Sequence, residues 1–253
     1  MKTALDWDYT RLADAYVHRP AYAAEAIDAL VNTASLVPGM PVVDLGAGTG
    51  HLTVELASRE LQVTAVEPND RMRYHGERRT QRTSNVSWID ALMQDTGLGD
   101  QRFALTSYGS CFGVADPQMT LRESARLLRP SGWFACMWNH RQLDDPLQAR
   151  IEAFIQGSID DYRYGSRRED QGAQIDASGL FGEVRRIEAP VMHTVGVDAW
   201  MEAWYSHATL QRQAGERFTQ IVEGIGRIVA QDAADQITVP YTTRMWMAQL
   251  APR

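Results

Sequence analysis

The chain has 253 residues, enough for one large domain or one domain with a sizeable insertion, and its 44% hydrophobic content can fill a core. Twenty-five Lys and Arg against 32 Asp and Glu leave a net charge of −7, and without a long basic block this argues against nucleic acid or an anionic membrane as partner. Two cysteines, Cys111 and Cys136, are too few for a disulfide framework or a cysteine-based zinc site, and no apolar run approaches the roughly 20 residues of a membrane span.

The N-terminus lacks the apolar core of a secretory signal, so a soluble, cytoplasmic protein is expected. Residues 5–34 read as two helices separated near Pro20. The first, Leu5 to Val17, is rich in aromatics; the second, Tyr22 to about Ala34, places Ala26, Ile27, Leu30 and Val31 at helical spacing. Pro38-Gly39 then turns the chain into a short apolar run, Val42, Val43 and Leu45, which carries one acid, Asp44. Gly46, Gly48 and Gly50 follow, and a periodic segment with Leu52 and Leu56 begins, so the pattern is strand, tight turn, helix. Glycines there let the chain turn sharply and let a ligand approach bare N–H groups.

Val63 to Val66 reads as a second buried strand. Glu67 stands at its end, roughly twenty residues past the turn, where an acid can accept ribose hydroxyls. Pro68 ends that strand, and Asn69 or Asp70 caps a polar helix whose Arg78, Arg79 and Arg82 read as a solvated face. Val86 to Ile89 and Phe103 to Ser107 are the third and fourth strands. A helix from Asp116-Pro117 through Leu128 stops in the turn Leu128-Arg129-Pro130-Ser131-Gly132, and Trp133 to Trp138 is the fifth strand. Pro146 to about Tyr162 is a helix with Ile151, Phe154, Ile155 and Ile159 on one face. Residues 178–184 turn into a further strand, and Asp198 to about Ala234 reads as two helices containing Trp200, Trp204, Tyr205 and His207. That stretch is too short for a core of its own and reads as a cap over the site. Alternating strands and helices of this kind give a doubly wound α/β sheet.

The G-x-G-x-G spacing with Asp44 in front resembles motif I of the class I S-adenosylmethionine (SAM) methyltransferases. Trp7-Asp8, Tyr16, Arg19-Pro20 and Tyr22 resemble the N-terminal lid of small-molecule methyltransferases related to the trans-aconitate methyltransferases. So do Leu-Leu-Arg-Pro-x-Gly ahead of Trp138-Asn139, and Tyr241-Thr-Thr-Arg-Met-Trp246. The resemblance implies a single Rossmann-like domain over residues 1–253, with seven strands, mostly parallel and the last antiparallel. Residues 1–36 would form a helical lid, and 196–237 a helical cap inserted in the domain. It also implies SAM as cofactor, leaving as S-adenosylhomocysteine (SAH). Arg19 would reach the SAM carboxylate, Asp44, Gly46, Ala47 and Gly48 would form the turn, and Glu67 and Pro68 would lie at the ribose. Where the family shows Gly-Asp-Ala, this chain has Ala91-Leu92-Met93, so adenine would pack on Leu92 and Met93 instead of meeting an acid. Tyr108 would close this side of the site.

Transfer from a sulfonium asks the protein to align the nucleophile, exclude water and, where needed, remove a proton. Aromatic faces suit a sulfonium, and Tyr9, Tyr16, Tyr22, Phe112, Trp138, Trp204 and Tyr205 are the candidates on the acceptor side. The histidine common in the relatives is absent here, where Gly113-Val114 stands. His140, just after the fifth strand, is then the strongest candidate general base among six histidines, and an acceptor needing no protein base is also open. No metal is expected, since Asp144-Asp145 and Asp160-Asp161 read as solvated helix ends. The expected function is SAM-dependent methylation of an oxygen or nitrogen of a small molecule; a non-catalytic SAM-binding scaffold is the alternative.

Overall fold

The computed structural model describes residues 9–232 and 235–252. Leu5 and the Trp7-Asp8 pair of the lid pattern lie outside the described residues. A 3₁₀ turn, Thr10–Leu12, runs into the short helix α1 (Ala13–Tyr16), and α2 (Ala24–Thr33) follows. The fixed φ of Pro20 and its missing N–H keep these from fusing.

The sheet alternates with helices as β1 (Pro41–Leu45), α3 (His51–Ala57), β2 (Gln62–Val66), α4 (Asp70–Thr80), β3 (Val86–Ile89), β4 (Phe103–Gly109), α5 (Pro117–Leu127) and β5 (Leu128–Arg141). Then come α6 (Pro146–Ser158), α7 (Gly172–Ala177), β6 (Arg185–Gly196), α8 (Val197–Trp204), α9 (Ala208–Ala214), α10 (Phe218–Val229) and β7 (Gln236–Gln249). The seven strands lie in the order β3-β2-β1-β4-β5-β7-β6. β1 to β5 pair in parallel, while β7 runs antiparallel to both β5 and β6. The strand order reverses between β1 and β4, so the crevice outside their carboxyl ends is the natural ligand position.

Side-chain alternation sorts the core. Val42, Val63 and Leu105 face α2 and α3, whereas Val43, Leu45 and Phe134 face α5 and α7. Capping follows the polar residues of the sequence: Asn69 Oδ1 accepts from the amides of Arg71 and Met72, and Asp116 Oδ1 accepts from Met119.

Two expectations change. Residues 128–132 form no separate turn. They belong to β5, with Ser131 at φ +61° and a register shift against Phe103 and Leu105, so the loop is absorbed as an irregularity in a 14-residue strand. The cap also has a core. Trp200, Leu210, Phe218, Ile221 and Ile225 pack against Ile151 and Ile155 of α6 and against Ile237, Val239 and Tyr241 of β7. The stretch is short, but it borrows a helix and the outer end of the β6–β7 ribbon.

Candidate active site

A cleft of about 1000 Å³, counted to its mouth, opens at the carboxyl ends of β1, β2 and β4. Its floor is the glycine turn, where Gly46, Gly48 and Gly50 sit at φ +66°, +57° and +80°, conformations that other residues rarely adopt. A Cβ on Gly46 would lie 2.8 Å from Cys111 Sγ, so this position is closed to any side chain. A Cβ on Gly48 would meet no atom nearer than 4.0 Å, so its bareness leaves room in the cleft. The turn differs from expectation in one respect. The Ala47 amide donates to Val66 O at 3.0 Å, the Gly48 amide to Glu67 Oε2 at 2.9 Å and the Gly50 amide to Ala47 O at 2.9 Å. At these three positions the turn offers space, and its N–H groups are engaged.

Glu67 is 8% exposed, and its other oxygen accepts from the Asn69 amide at 2.8 Å. Burial pushes its carboxyl up, against the pull of those two amides. Each oxygen keeps a lone pair for a ligand hydroxyl. Asp44 lies fully buried behind the turn and accepts from Thr53 Oγ1 at 2.7 Å and Ser107 Oγ at 3.2 Å. Burial pushes it up to about 7, although both hydroxyls favour the ionised form. Pro68, Met72 and Met93 make an apolar wall beside Glu67. Leu92 is not on it, because its backbone bridges to Asp95 and its side chain is buried away from the cleft.

Tyr9, Tyr16, Arg19 and Tyr22 bring the lid over the opening. Tyr22 Oη is 2.9 Å from Ser110 Oγ, and the Arg19 guanidinium lies 5.2 Å from the Tyr16 ring centroid. The lid is held at several points. Asp14 meets Arg71 at 2.9 Å and His75 at 2.7 Å. Asn139 Nδ2 donates to Ala21 O at 2.8 Å, and Arg19 donates to Ser206 Oγ at 2.7 Å, joining lid to cap. Arg79 departs from the solvated face assigned to it. Its guanidinium donates to Thr49 O at 2.8 Å and Val17 O at 3.2 Å, and it lies 3.2 Å from His51 Nε2, tying lid, turn and α4 together. His51 lines the cleft, and burial, then Arg79, drives its pKa down to about 3.

Besides Leu92, six expected site residues stand outside this cleft: Tyr108, Phe112, Trp138, His140, Trp204 and Tyr205. Tyr108 is fully buried on the α5 face, its hydroxyl 2.6 Å from Ser124 Oγ, and Phe112 packs on it with ring centroids 5.7 Å apart. The strand end delivers Gly109, Ser110 and Cys111 to the cleft instead. Tyr205 is 39% exposed and edges onto Phe218 on the cap surface. His140 is buried away from the cofactor cleft, and burial, then Arg168 and Arg244, drives its pKa down to about 3. So weak a base does not suit proton removal at neutral pH. Trp138 lines a second cavity of about 780 Å³ between lid and cap, and Trp204 lines a third of about 580 Å³ beside it. Asn139, Ser110 and Tyr241, which the sequence did not single out as site residues, line the cofactor cleft; position after a strand end was the only signal for the first two. Among the described residues no group of three or more His, Cys, Asp or Glu is placed to hold a metal ion, and no helix is long and apolar enough to cross a membrane.

Residues 43–136 match the family described as "Methyltransferase domain". An uncharacterized methyltransferase of Mycobacterium tuberculosis is 35% identical over 123 residues, 49% of this chain and 48% of that protein, so the chain spans about half the length of such relatives. A solved protein of Anaeromyxobacter dehalogenans, assigned to the type II methyltransferases, superposes with a TM-score of 0.68 at 18% identity, covering 93% of this chain and 99% of that one. A phosphoethanolamine N-methyltransferase of Haemonchus contortus in complex with SAM gives 0.56 at 15% identity, covering 98% and 59%. The match over residues 43–136 takes in the glycine turn and the acid after β2, and makes that segment similar to the methyltransferase domain.

Proposed function

We propose that the protein transfers a methyl group from SAM to an oxygen or nitrogen of a small-molecule acceptor. The observation that carries this reading is the pairing of a glycine turn, whose Gly48 leaves room where a Cβ would stand, with a buried carboxylate, Glu67. The fit to a sulfonium nucleoside is chemical. Glu67 suits ribose hydroxyls, and Pro68, Met72 and Met93 suit an adenine face without an acid. Tyr9, Tyr16 and Tyr22 suit the cation. When bound, the cofactor supplies an activated methyl and a neutral leaving group. The chain's own part is to orient the acceptor, to shut out water by the lid contacts of Arg19 and Asn139, and to hold Glu67 in place through the Gly48 and Asn69 amides.

Proton removal by the protein is not part of the proposal. Burial and the neighbouring Tyr16 push Tyr9 up to about 12, Tyr16 and Tyr22 are also raised by burial, and His51 is held near 3. None of these is matched to neutral pH. Asp44, also on the lining, is pushed up to about 7 by burial, but its oxygens are taken by Thr53 and Ser107. The proposed acceptor atom is therefore one that is nucleophilic as it arrives. The lid pattern that resembles the trans-aconitate methyltransferases, the cavity beside Trp138 and the acidic chain support a small acceptor in the cytoplasm. One domain with lid and cap, residues 1–36 and 196–237, is part of the same reading. Calorimetric titration with SAM and SAH, followed by SAH release on a panel of small acids, phenols and heteroaromatic amines, tests it. Tight binding with no turnover on any acceptor would favour a non-catalytic scaffold instead.

A further inference from the structure

Arginines gather where an acidic chain has few to spare. The cavity beneath the cap is lined by Arg19, Arg141, Arg167 and Arg168, together with His140 and His207. Among the described residues one carboxylate pairs with these arginines: Glu152, 6% exposed, meets Arg141 at 3.2 Å and also accepts from Tyr164 Oη and Gln156, while Glu202 meets His18 of the lining at 3.2 Å. Arg19 is bonded to Ser206, Arg168 to Arg141 O at 3.4 Å, and Arg167 to Tyr164 O at 3.1 Å, so three of the four cations meet only neutral partners there.

The centre of this arrangement is Arg167 against His207. Nη2 of Arg167 lies 3.1 Å from His207 Nε2, while the Leu210 amide donates to His207 Nδ1 at 3.1 Å. A neutral imidazole has one N–H and one acceptor nitrogen. Both ring nitrogens face donors, so either tautomer leaves one N–H pointed at another donor. Protonation gives no relief, because burial and then Arg167, Arg19 and Arg141 hold the imidazole well below its usual pKa. The same surroundings bring Arg167 down to about 10, through burial first and then Arg19, Arg168 and Arg141. An oxygen anion accepting from Arg167 and from His207 Nε2–H would satisfy both groups at once. Trp204, stacked on His207 at 5.5 Å and covered by Arg141 at 4.6 Å, fixes the ring in that position.

We propose that this cavity holds an anionic oxygen group, a carboxylate or a phosphate, carried by the methyl acceptor. The anion is the handle of the acceptor, and a different atom receives the methyl group, since a carboxylate clamped by guanidinium groups is a poor nucleophile. Position supports this division. Arg19, Asn139 and Tyr241 line both this cavity and the cofactor cleft, and Arg167 lines both this cavity and the one containing Trp138. The identification of the ligand as acceptor rests on the methyl-transfer reading; the anion site itself does not.

The test is calorimetric titration of the SAH-saturated protein with succinate and, separately, inorganic phosphate at low ionic strength. Binding that weakens as salt rises is expected. Arg167→Gln should weaken it by roughly ten- to a hundredfold, while Arg78→Gln, a guanidinium 5.7 Å from Tyr74 on α4, should leave it unchanged. Arg167 does not line the cofactor cleft, so SAH binding by Arg167→Gln reports that the fold is intact. If that variant does not fold, Arg168→Gln takes its place. A preference for succinate assigns a carboxylate handle, and a preference for phosphate a phosphorylated one. Failure of both anions to bind wild type, or equal binding by the arginine variants, overturns the site. If SAH itself does not bind, the methyltransferase reading fails, and the same titrations on ligand-free protein still decide the anion site.

Discussion

In the cofactor half of the cleft most of the polar groups are held by near neighbours in the chain: Glu67 by Gly48, 19 residues away, and Asn69, two away, and Asp44 by Thr53, nine residues away. Ser107 of the adjoining strand is the distant partner of Asp44. In the acceptor half they are held across the whole molecule. Arg19 meets Ser206 187 residues on, Asn139 meets Ala21 118 residues back, and Arg167 meets His207 40 residues away. The first half is thus a local unit that any chain with the same strand, turn and acid can rebuild, whereas the second exists only once lid, β5 and cap are packed together. The cofactor half should therefore be intolerant of small changes at fixed backbone positions, and the acceptor half should vary without disturbing it.

The largest effect expected from this difference is at Gly46. In Gly46→Ala the new Cβ would lie 2.8 Å from Cys111 Sγ and 3.0 Å from Met93 Cε, on a backbone at φ +66°. Loss of measurable SAH binding is expected, with a thermal midpoint lowered by several degrees. Gly39→Ala is the matched control, at φ +82° with no atom within 4 Å, and should keep SAH affinity while costing roughly 1 kcal/mol of stability. Adding Cys111→Ala to Gly46→Ala should recover part of the loss. Equal tolerance at Gly39 and Gly46 would break the comparison.

Next in size is the pH dependence set by Asp44. Its folded pKa of about 7 lies above the ordinary 3.8, so the folded state holds a proton that the unfolded chain has released. That contribution is present in full below the lower value and is lost as pH rises through the higher, a change of about 4 kcal/mol. Asp44→Asn keeps an acceptor for one of Thr53 and Ser107 and offers an N–H to the other hydroxyl, which can turn to accept it, and should remove this slope from denaturant unfolding measured between those two pH values. Smaller again is Glu67→Gln. An amide nitrogen would then face either the Gly48 or the Asn69 N–H, and one charge-assisted ribose bond would be weakened. SAH affinity should fall by about 1.5–3 kcal/mol, read by calorimetry.

The same contrast decides what the sequence could reveal. Strand, glycine turn and Glu67 stand within 27 residues, so composition and spacing place them, and the parallel order of β1 to β5 follows from their alternation with helices. Tyr108 was misplaced because the end of β4 cannot be located to a residue by pattern. One step along a strand reverses the face: Tyr108 enters the α5 layer while Ser107 meets Asp44. Arg141, Arg167 and Arg168 carry no signal in the sequence, because the residues that gather them lie far apart in the chain, with His207 of the covering segment 40 residues from Arg167. The cap core was equally hidden, since Ile151 and Ile155 look like an amphipathic helix with no stated partner.

The smallest expected effect tests whether His140 belongs to the reaction at all. Its Nε2 is buried without a hydrogen-bond partner among the described residues, and its folded pKa of about 3 lies below the ordinary 6.5. The unfolded chain therefore takes up a proton first as pH falls through 6.5, and stability declines from there toward the lower value, opposite in sign to Asp44. His140→Phe removes that decline. Near neutral pH its stability should match wild type, and about one pH unit below 6.5 it should be the more stable protein by about 1 kcal/mol. SAH affinity should not change, because His140 does not line the cofactor cleft. A wild-type activity profile with an acidic limb near 6.5 that disappears in His140→Phe would instead return this imidazole to the role of general base. The arginines around it, which add to burial in lowering its pKa, would then have to be displaced by the bound acceptor.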